Sequence, residues 1–254
     1  MRGDNFSSIM EKLLFYRFPI SILRNGINAI ALNNLLDYNI WAYYIESKKT
    51  PTFQDLEQHL RVKLRDFQKA LEEGKRAYEY FSDCKIMTQI NIESYWEWEK
   101  KVDDESEYSK ILLLAFLAAK SIVGKKQYSK TNYDMLLSRM AGKDSPEYHT
   151  ASNGKNKGKR ILRLPEHLKP YNTRRKLERL RDDLTRFHVS WWSDPGVRGF
   201  YLSNTKVSRK QLYKLIHKPS KSIDEKRRES KERVRKEVEM IINRHTDNLN
   251  DIPN

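Results

Sequence analysis

The stretch from Asn172 to Phe187 holds the residues best suited by type and spacing to do chemistry. Leu177, Leu180, Leu184 and Phe187 recur at helical spacing, so a helix over this stretch gathers them in one sector. Arg175, Arg179 and Arg186 then point outward, with Arg174 and Arg181 on the flanks. A guanidinium is a planar fork of donors that meets a phosphate, or the O6/N7 edge of guanine, bidentately. A row of them on a free helix face can both anchor on a nucleic-acid groove and read it. The competing reading is a solvated face balanced by Glu178, Asp182 and Asp183.

Directly after this helix, two aromatic-rich runs, 188–192 and 197–202, flank Ser193-Asp194-Pro195-Gly196, which is a turn signal and predicts a hairpin. Arg198 near its tip is placed to reach a minor groove or a phosphate. Trp191, Trp192 and Tyr201 could stack on exposed bases, but strands bury such residues routinely and core packing is the favoured expectation.

The charge of the whole chain supports an anionic partner. Its 254 residues carry 49 Lys and Arg against 34 Asp and Glu, a formal +15. The excess is not spread evenly. Residues 1–105 hold 15 basic and 17 acidic side chains, and residues 106–254 hold 34 and 17. Such segregation argues for a polyanion-binding part joined to a near-neutral one, with the boundary at the solvated Lys100–Glu105. The longest apolar run, Ile111–Ala119, is far short of the ~20 residues that span a bilayer, and the N-terminal apolar stretch is broken by Lys12, Arg17 and Pro19. No membrane partner is expected. One cysteine, Cys84, and six scattered histidines form no metal-ligand spacing, so a metal-free cytoplasmic protein without internal disulfides is expected.

Elements positioning these residues follow from periodicity. In the basic part, Ile111–Val123 must be a buried helix closed by Gly124, and a short helix capped by Thr131 carries Met135, Leu136 and Met140. Residues 141–160, rich in Gly, Ser, Asn and Lys, read as a mobile basic loop, and Ser208 caps a short helix with Leu212 inside. The mostly charged stretch 222–243 fits a partly solvated basic helix, in which Lys226-Arg227-Arg228 could lie along phosphates or pair with the interleaved glutamates.

The near-neutral part predicts a helix over 33–48 on Leu36, Ile40, Trp41 and Tyr44. A second starts at Thr52 with a capping box to Asp55, 61–63 turn, and a third runs from Lys63 to Phe81 with Arg65, Lys69 and Arg76 opposite its apolar face. Asp66, Glu72 and Glu73 on its exposed face would repel phosphates. Alternation over 85–92 predicts a strand. The stretch Phe53–Leu71, with Leu56, Leu60, Val62, Phe67, Ala70 and Leu71 at the spacing of two short helices sharing a core, resembles the helix-turn-helix of bacterial DNA-binding proteins. It departs from that pattern at Glu57, where a small residue is usual, and at Arg61, where glycine is usual. The resemblance implies that Lys63, Arg65 and Lys69 face a major groove.

Enzyme chemistry has no counterpart here. There is no Walker loop, no His-x-His, no H-E-x-x-H and no G-x-S-x-G; Asp103-Asp104-Glu105 reads as an acidic linker, and the spacing of Tyr128, Tyr133 and Tyr201 supports no nucleophile. Neither catalytic residues nor a cofactor is expected. The resulting expectation is a mainly α (α+β) fold with small β-hairpins. It comprises a near-neutral winged-helix unit over 1–105, a strongly basic one over 106–206 and a helical basic extension over 207–254. In outline this is similar to plasmid replication initiator proteins, which carry two winged-helix domains. That resemblance implies sequence-specific binding of double-stranded DNA by a replication initiator of a plasmid or mobile element, while the acidic face of the third helix leaves the first domain either to pair protomers in a homodimer or to assist DNA binding. A winged-helix transcriptional regulator and a non-enzymatic RNA- or protein-binding scaffold stand as alternatives.

Overall fold

The computed structural model describes residues 15–47, 50–152, 157–196, 198–205, 207–217, 231, 232 and 235. Two antiparallel strands, β1 (Phe15–Pro19) and β2 (Met87–Asn91), begin the fold, with Phe15 opposite Asn91 and Pro19 opposite Met87. The alternation expected near residue 90 is present, since Thr88 and Ile90 are buried between half-buried neighbours. Its partner alternates too, burying Tyr16 and Phe18 around exposed Arg17. A 3-10 turn (Ile20–Asn25) then leads to α1 (Ala29–Glu46), whose cap is Asn28: its side chain accepts the Ala31 N–H at 2.8 Å. This helix starts four residues before the expected Asn33.

Helix α2 (Phe53–Leu60) has the expected capping box. Thr52 Oγ1 accepts the Asp55 N–H and the Asp55 carboxylate accepts the Thr52 N–H at 2.8 Å, which holds that carboxyl below its ordinary range. Both departures from the helix-turn-helix pattern have a local physical account. Arg61 sits in the left-handed region (φ 51°, ψ 41°) that favours glycine, with its guanidinium 3.3 Å from Glu93. Glu57 accepts the Leu64 N–H at 2.8 Å and so ties down the link that follows. That link is longer than the expected turn. Helix α3 runs Phe67–Phe81 with Asp66 as its cap, so Lys63 and Arg65 precede the helix instead of lying on it. At Gly74 it crosses α1 so closely that a Cβ would stand 2.9 Å from the Asp37 carbonyl oxygen.

No second wing strand follows β2. Asn91 instead caps α4 (Ile92–Lys101), whose buried Tyr95 meets Tyr16 and Trp96 edge-on and donates its hydroxyl to the Leu32 carbonyl at 3.1 Å. Helix α5 (Glu107–Val123), capped by Ser106, buries every residue from Ile111 to Ala119 except Phe116. On one side β2 packs against it, with Thr88 Oγ1 donating to the Leu117 carbonyl at 2.8 Å. The core is therefore continuous across the 105/106 boundary that charge suggests, and Val102 in the expected solvated linker is buried.

On its other side α5 meets β3 (Ser129–Thr131) and α6 (Tyr133–Met140). The cap of α6 is Asn132, which accepts the Met135 N–H at 2.8 Å; the expected cap, Thr131, ends β3 one residue earlier. Residues 141–160, expected to be a mobile loop, instead contribute a hairpin of β4 (Tyr148–Thr150) and β5 (Arg160–Leu162), of which 153–156 lie outside the described residues. A 3-10 turn (Glu166–Tyr171) leads to α7 (Arg174–Asp183), prolonged by a second 3-10 turn (Leu184–Phe187). Strands β6 (Ser190–Trp192) and β7 (Phe200–Ser203) form the expected hairpin, and β7 also pairs with β3, giving the order β3-β7-β6. Helix α8 (Arg209–Ile216) begins where Ser208 Oγ accepts the Gln211 N–H, and its Leu212 is buried.

The fold is mixed α+β, mainly helical with small antiparallel sheets. By packing the chain divides into Met1–Leu212, which holds nearly all the described elements, and Tyr213–Asn254. The expected basic helix over 222–243 lies outside the described residues except at 231, 232 and 235, which are helical. No helix among the described residues is long and apolar enough to cross a membrane.

Gly199, at the entry to β7, joins the sheet to the start of α6. Its φ is +90° and a Cβ there would lie 2.2 Å from the Thr131 carbonyl oxygen, whereas Gly124 (φ +55°) faces open space. Gly124→Ala meets backbone strain alone, at φ +55° and ψ −128°, and is expected to cost ~1–3 kcal/mol. Gly199→Ala adds overpacking worth a further ~1–3 kcal/mol. Urea denaturation of the two variants measures the difference, and equal losses would contradict the close packing of β7 on β3.

Candidate nucleic-acid interface

Helix α7 is held from beneath. Leu177, Leu180 and Leu184 are buried, and Phe187 stacks on Phe116 of α5 with ring centres 4.9 Å apart. Tyr108 of α5 donates its hydroxyl to Asp183 at 2.5 Å, and the Arg179 guanidinium lies over the Tyr108 ring at 4.8 Å. Burial, and then the Asp183 carboxylate, push the Tyr108 hydroxyl up to about 12, so it stays protonated and keeps donating. The leucine stripe read from the sequence therefore faces the core. The final turn, expected as α-helix to Phe187, tightens to 3-10 geometry after Asp183.

The outward arginines differ in how far the protein itself satisfies them. Arg174 bonds Glu178 at 2.9 Å, and Arg179 and Arg186 share Asp183 at 3.8 and 3.1 Å. These pairs are exposed on the arginine side, with 89, 72 and 70% of the three side chains open to solvent. Pairs this open are weak and screened by salt, so a phosphate can take over such a guanidinium without breaking the fold. Arg175 is exposed and has no ion-pair partner among the described residues. Lys176 lies over the Tyr171 ring at 5.4 Å. Arg198, between β6 and β7, is also exposed without an ion-pair partner among the described residues. The helix read from the leucine spacing is present, and Glu178 and Asp183, two of the carboxylates in the competing reading of a balanced face, do pair with its arginines.

The aromatic residues of the β6–β7 hairpin are engaged by the protein. Arg181 and Arg209 place their guanidinium carbons 3.5 and 3.9 Å from the centre of the Trp191 ring. Two such groups cannot share one face at those distances, so both faces of the ring are covered and base stacking on it is blocked. Asp182 holds the clamp together, 3.3 Å from Arg181 and 3.8 Å from Arg209. The Trp192 indole donates to Asp194 at 2.7 Å, and Tyr201 meets Tyr128 edge-on with the Lys130 ammonium 5.8 Å from its ring. No sequence signal announces the clamp, because Arg209 belongs to the helix after the hairpin.

Elsewhere, Lys63 and Arg65 are exposed in the link before α3, and Lys69 in its first turn lies 3.9 Å from Glu73. None of the three shares an ion pair or ring contact with the α7 group among the described residues. Acidic Asp66, Glu72 and Glu73 stand beside them on α3 as the sequence implied. Among the described residues no group of three or more His, Cys, Asp or Glu side chains is placed to hold a metal ion.

Replacing Arg209 by alanine is expected to lower stability by ~1 kcal/mol through loss of the Trp191 stack. Arg209→Lys should recover only part, since an ammonium lacks the planar face. Full recovery in chemical denaturation would contradict the clamp. Comparison of the chain with protein-family models, with curated proteins and with solved structures finds no match in any of the three.

Proposed function

We propose that this chain is a non-enzymatic, sequence-specific binder of double-stranded DNA, with α7 as the element that enters the major groove. The observation that carries the reading is Arg175. It is exposed and has no ion-pair partner among the described residues, on a helix whose opposite side is locked to the core. A guanidinium that no carboxylate of the described residues satisfies is available to the O6/N7 edge of guanine, and its paired neighbours Arg174, Arg179 and Arg186 can exchange onto phosphates. Arg198 extends the cationic set to the hairpin after α7.

The order α5, β3, α6, α7, β6, β7, with sheet order β3-β7-β6, supports reading Glu107–Ser203 as a winged-helix unit in which the β4–β5 hairpin is inserted between the second and third helices. The first half supports a helix-turn-helix from α2 and α3, with α4 where a wing's second strand would come. Two such units in tandem fit a replication initiator of a plasmid or mobile element acting in the cytoplasm. The near-neutral first half would then serve pairing of protomers more than phosphate contact.

Selection of bound duplexes from a random pool should return one preferred sequence. On that sequence Arg175→Ala is expected to weaken binding by ~1–3 kcal/mol while leaving a scrambled duplex nearly unaffected. Equal losses on both would assign Arg175 to phosphate contact. A protein with no duplex preference, or one that prefers RNA or an acidic protein, would contradict the reading.

A further inference from the structure

The β4–β5 hairpin carries a different kind of charge from α7. From Tyr148 to Pro165 the chain has five cations and no carboxylate, whereas the arginines of α7 alternate with Glu178, Asp182 and Asp183. Lys157, Lys159 and Arg160 are exposed at the β5 end of the hairpin, and neither lysine has an ion-pair partner among the described residues. Arg160 lies over the Tyr148 ring at 4.5 Å. Surplus cations on a short hairpin repel one another, and its sequence holds no carboxylate to offset that.

The hairpin is nonetheless held in place. Tyr148 donates its hydroxyl to Asp134 on α6 at 2.8 Å, the Arg163 N–H donates to the Glu147 carbonyl at 2.8 Å, and the strands pair with Tyr148 opposite Leu162 and Thr150 opposite Arg160. Beyond the strands the Ala151 N–H donates to the Lys159 carbonyl and the Gly158 N–H to the Ala151 carbonyl, which carries the ordered backbone to the lysines. Between the hairpin and the approach to α7 runs an open groove of about 540 Å³. It is bounded by His149 and Arg163 from the hairpin side and by Lys169 and Asn172 from the residues leading into α7. Lys169 is ion-paired with Glu166, and Glu147 is held below the usual carboxylate range by Lys143 first, with Arg163 adding to it. Asn172 is three residues before Arg175, so the basic hairpin flanks the end of α7 from which Arg175 projects.

We propose that the β4–β5 hairpin is a second duplex-contacting element, one that grips the phosphate backbone beside the groove entered by α7. The proposal rests on the duplex-binding reading of α7. Phosphate contacts in DNA complexes come from lysine, arginine and small polar side chains, and the hairpin offers those: Lys157, Lys159 and Arg160 with His149 and Thr150. A protein partner needs an apolar or aromatic anchor, and the exposed large hydrophobic residues among the described ones of Met1–Leu212, Ile30, Ile45 and Tyr80, all lie on other elements. Because Lys157 and Lys159 have no ion-pair partner among the described residues, their contact with phosphate breaks no ion pair seen there.

The test is Lys157→Gln/Lys159→Gln in the full chain, with Arg175→Ala alongside, titrated on the selected and scrambled duplexes over a range of salt. Each phosphate contact contributes about 0.9 to the slope of log affinity against log salt, so the double variant should lose about 2 from that slope. Its affinity should fall by about tenfold or more, equally on both duplexes, and its protection footprint should shorten at one edge. An unchanged slope and footprint in a variant that still binds would overturn the hairpin contact and leave α7 untouched. A loss confined to the selected duplex would overturn the phosphate role in favour of base reading. Wild-type protein that fails to bind duplex at all would overturn both this inference and the reading beneath it.

Discussion

A helix apolar on every side has to be covered on every side, and α5 is such a helix. Its run from Ile111 to Ala119 buries all but Phe116, and each fully buried Leu or Ile contributes ~1.5–3 kcal/mol, so no arrangement that leaves one face in water competes. The near-neutral half supplies one cover through β2 and the Ile20–Asn25 turn. The basic half supplies the other through α6, α7, β3 and β7. Two modules that charge alone would separate therefore share a core. The position of α7 follows from the same constraint, because its leucines complete the cover of α5 and the Tyr108–Asp183 bond fixes its rotation.

That shared core explains which features were legible in the sequence. Caps and stripes are local, so the Thr52–Asp55 box, the Leu177–Leu180–Leu184 face and the alternation around Ile90 could be read directly. Features that depend on a distant partner could not. Strand β1 is short and carries Arg17 and Pro19, and only its pairing with β2, some seventy residues on, makes it a strand. The start of α3 was misplaced because Arg61 takes a left-handed conformation that glycine usually takes, and Glu57 then extends the link to an Asp66 cap. The β4–β5 hairpin was invisible because its strands are three residues long and its polar, glycine-containing composition is that of a loop; Asp134 and Tyr148 decide its placement.

The candidate interface was legible in its residue types and less so in its electrostatics. Arg174, Arg179 and Arg186 are outward as their spacing implies, yet each meets a carboxylate of its own segment, and Arg181 faces inward onto Trp191 with a guanidinium from α8 on the opposite face. What separates the cations is whether the fold already answers them. Exposed pairs are weak, the Trp191 clamp is structural, and Arg175, Arg198, Lys157 and Lys159 have no ion-pair partner among the described residues. The cations of α7 and the two hairpins thus divide, among the described residues, into structural, exchangeable and unpaired ones.

The central claim is that α7 enters the major groove of a specific duplex through Arg175. A benzophenone side chain introduced at position 175, photolysed on the selected duplex, tests it most directly. The account predicts crosslinks to bases at one or two adjacent positions inside the bound site, lost when a scrambled duplex is substituted. Crosslinks spread along the sugar–phosphate backbone, or none in a complex that forms normally, would contradict it.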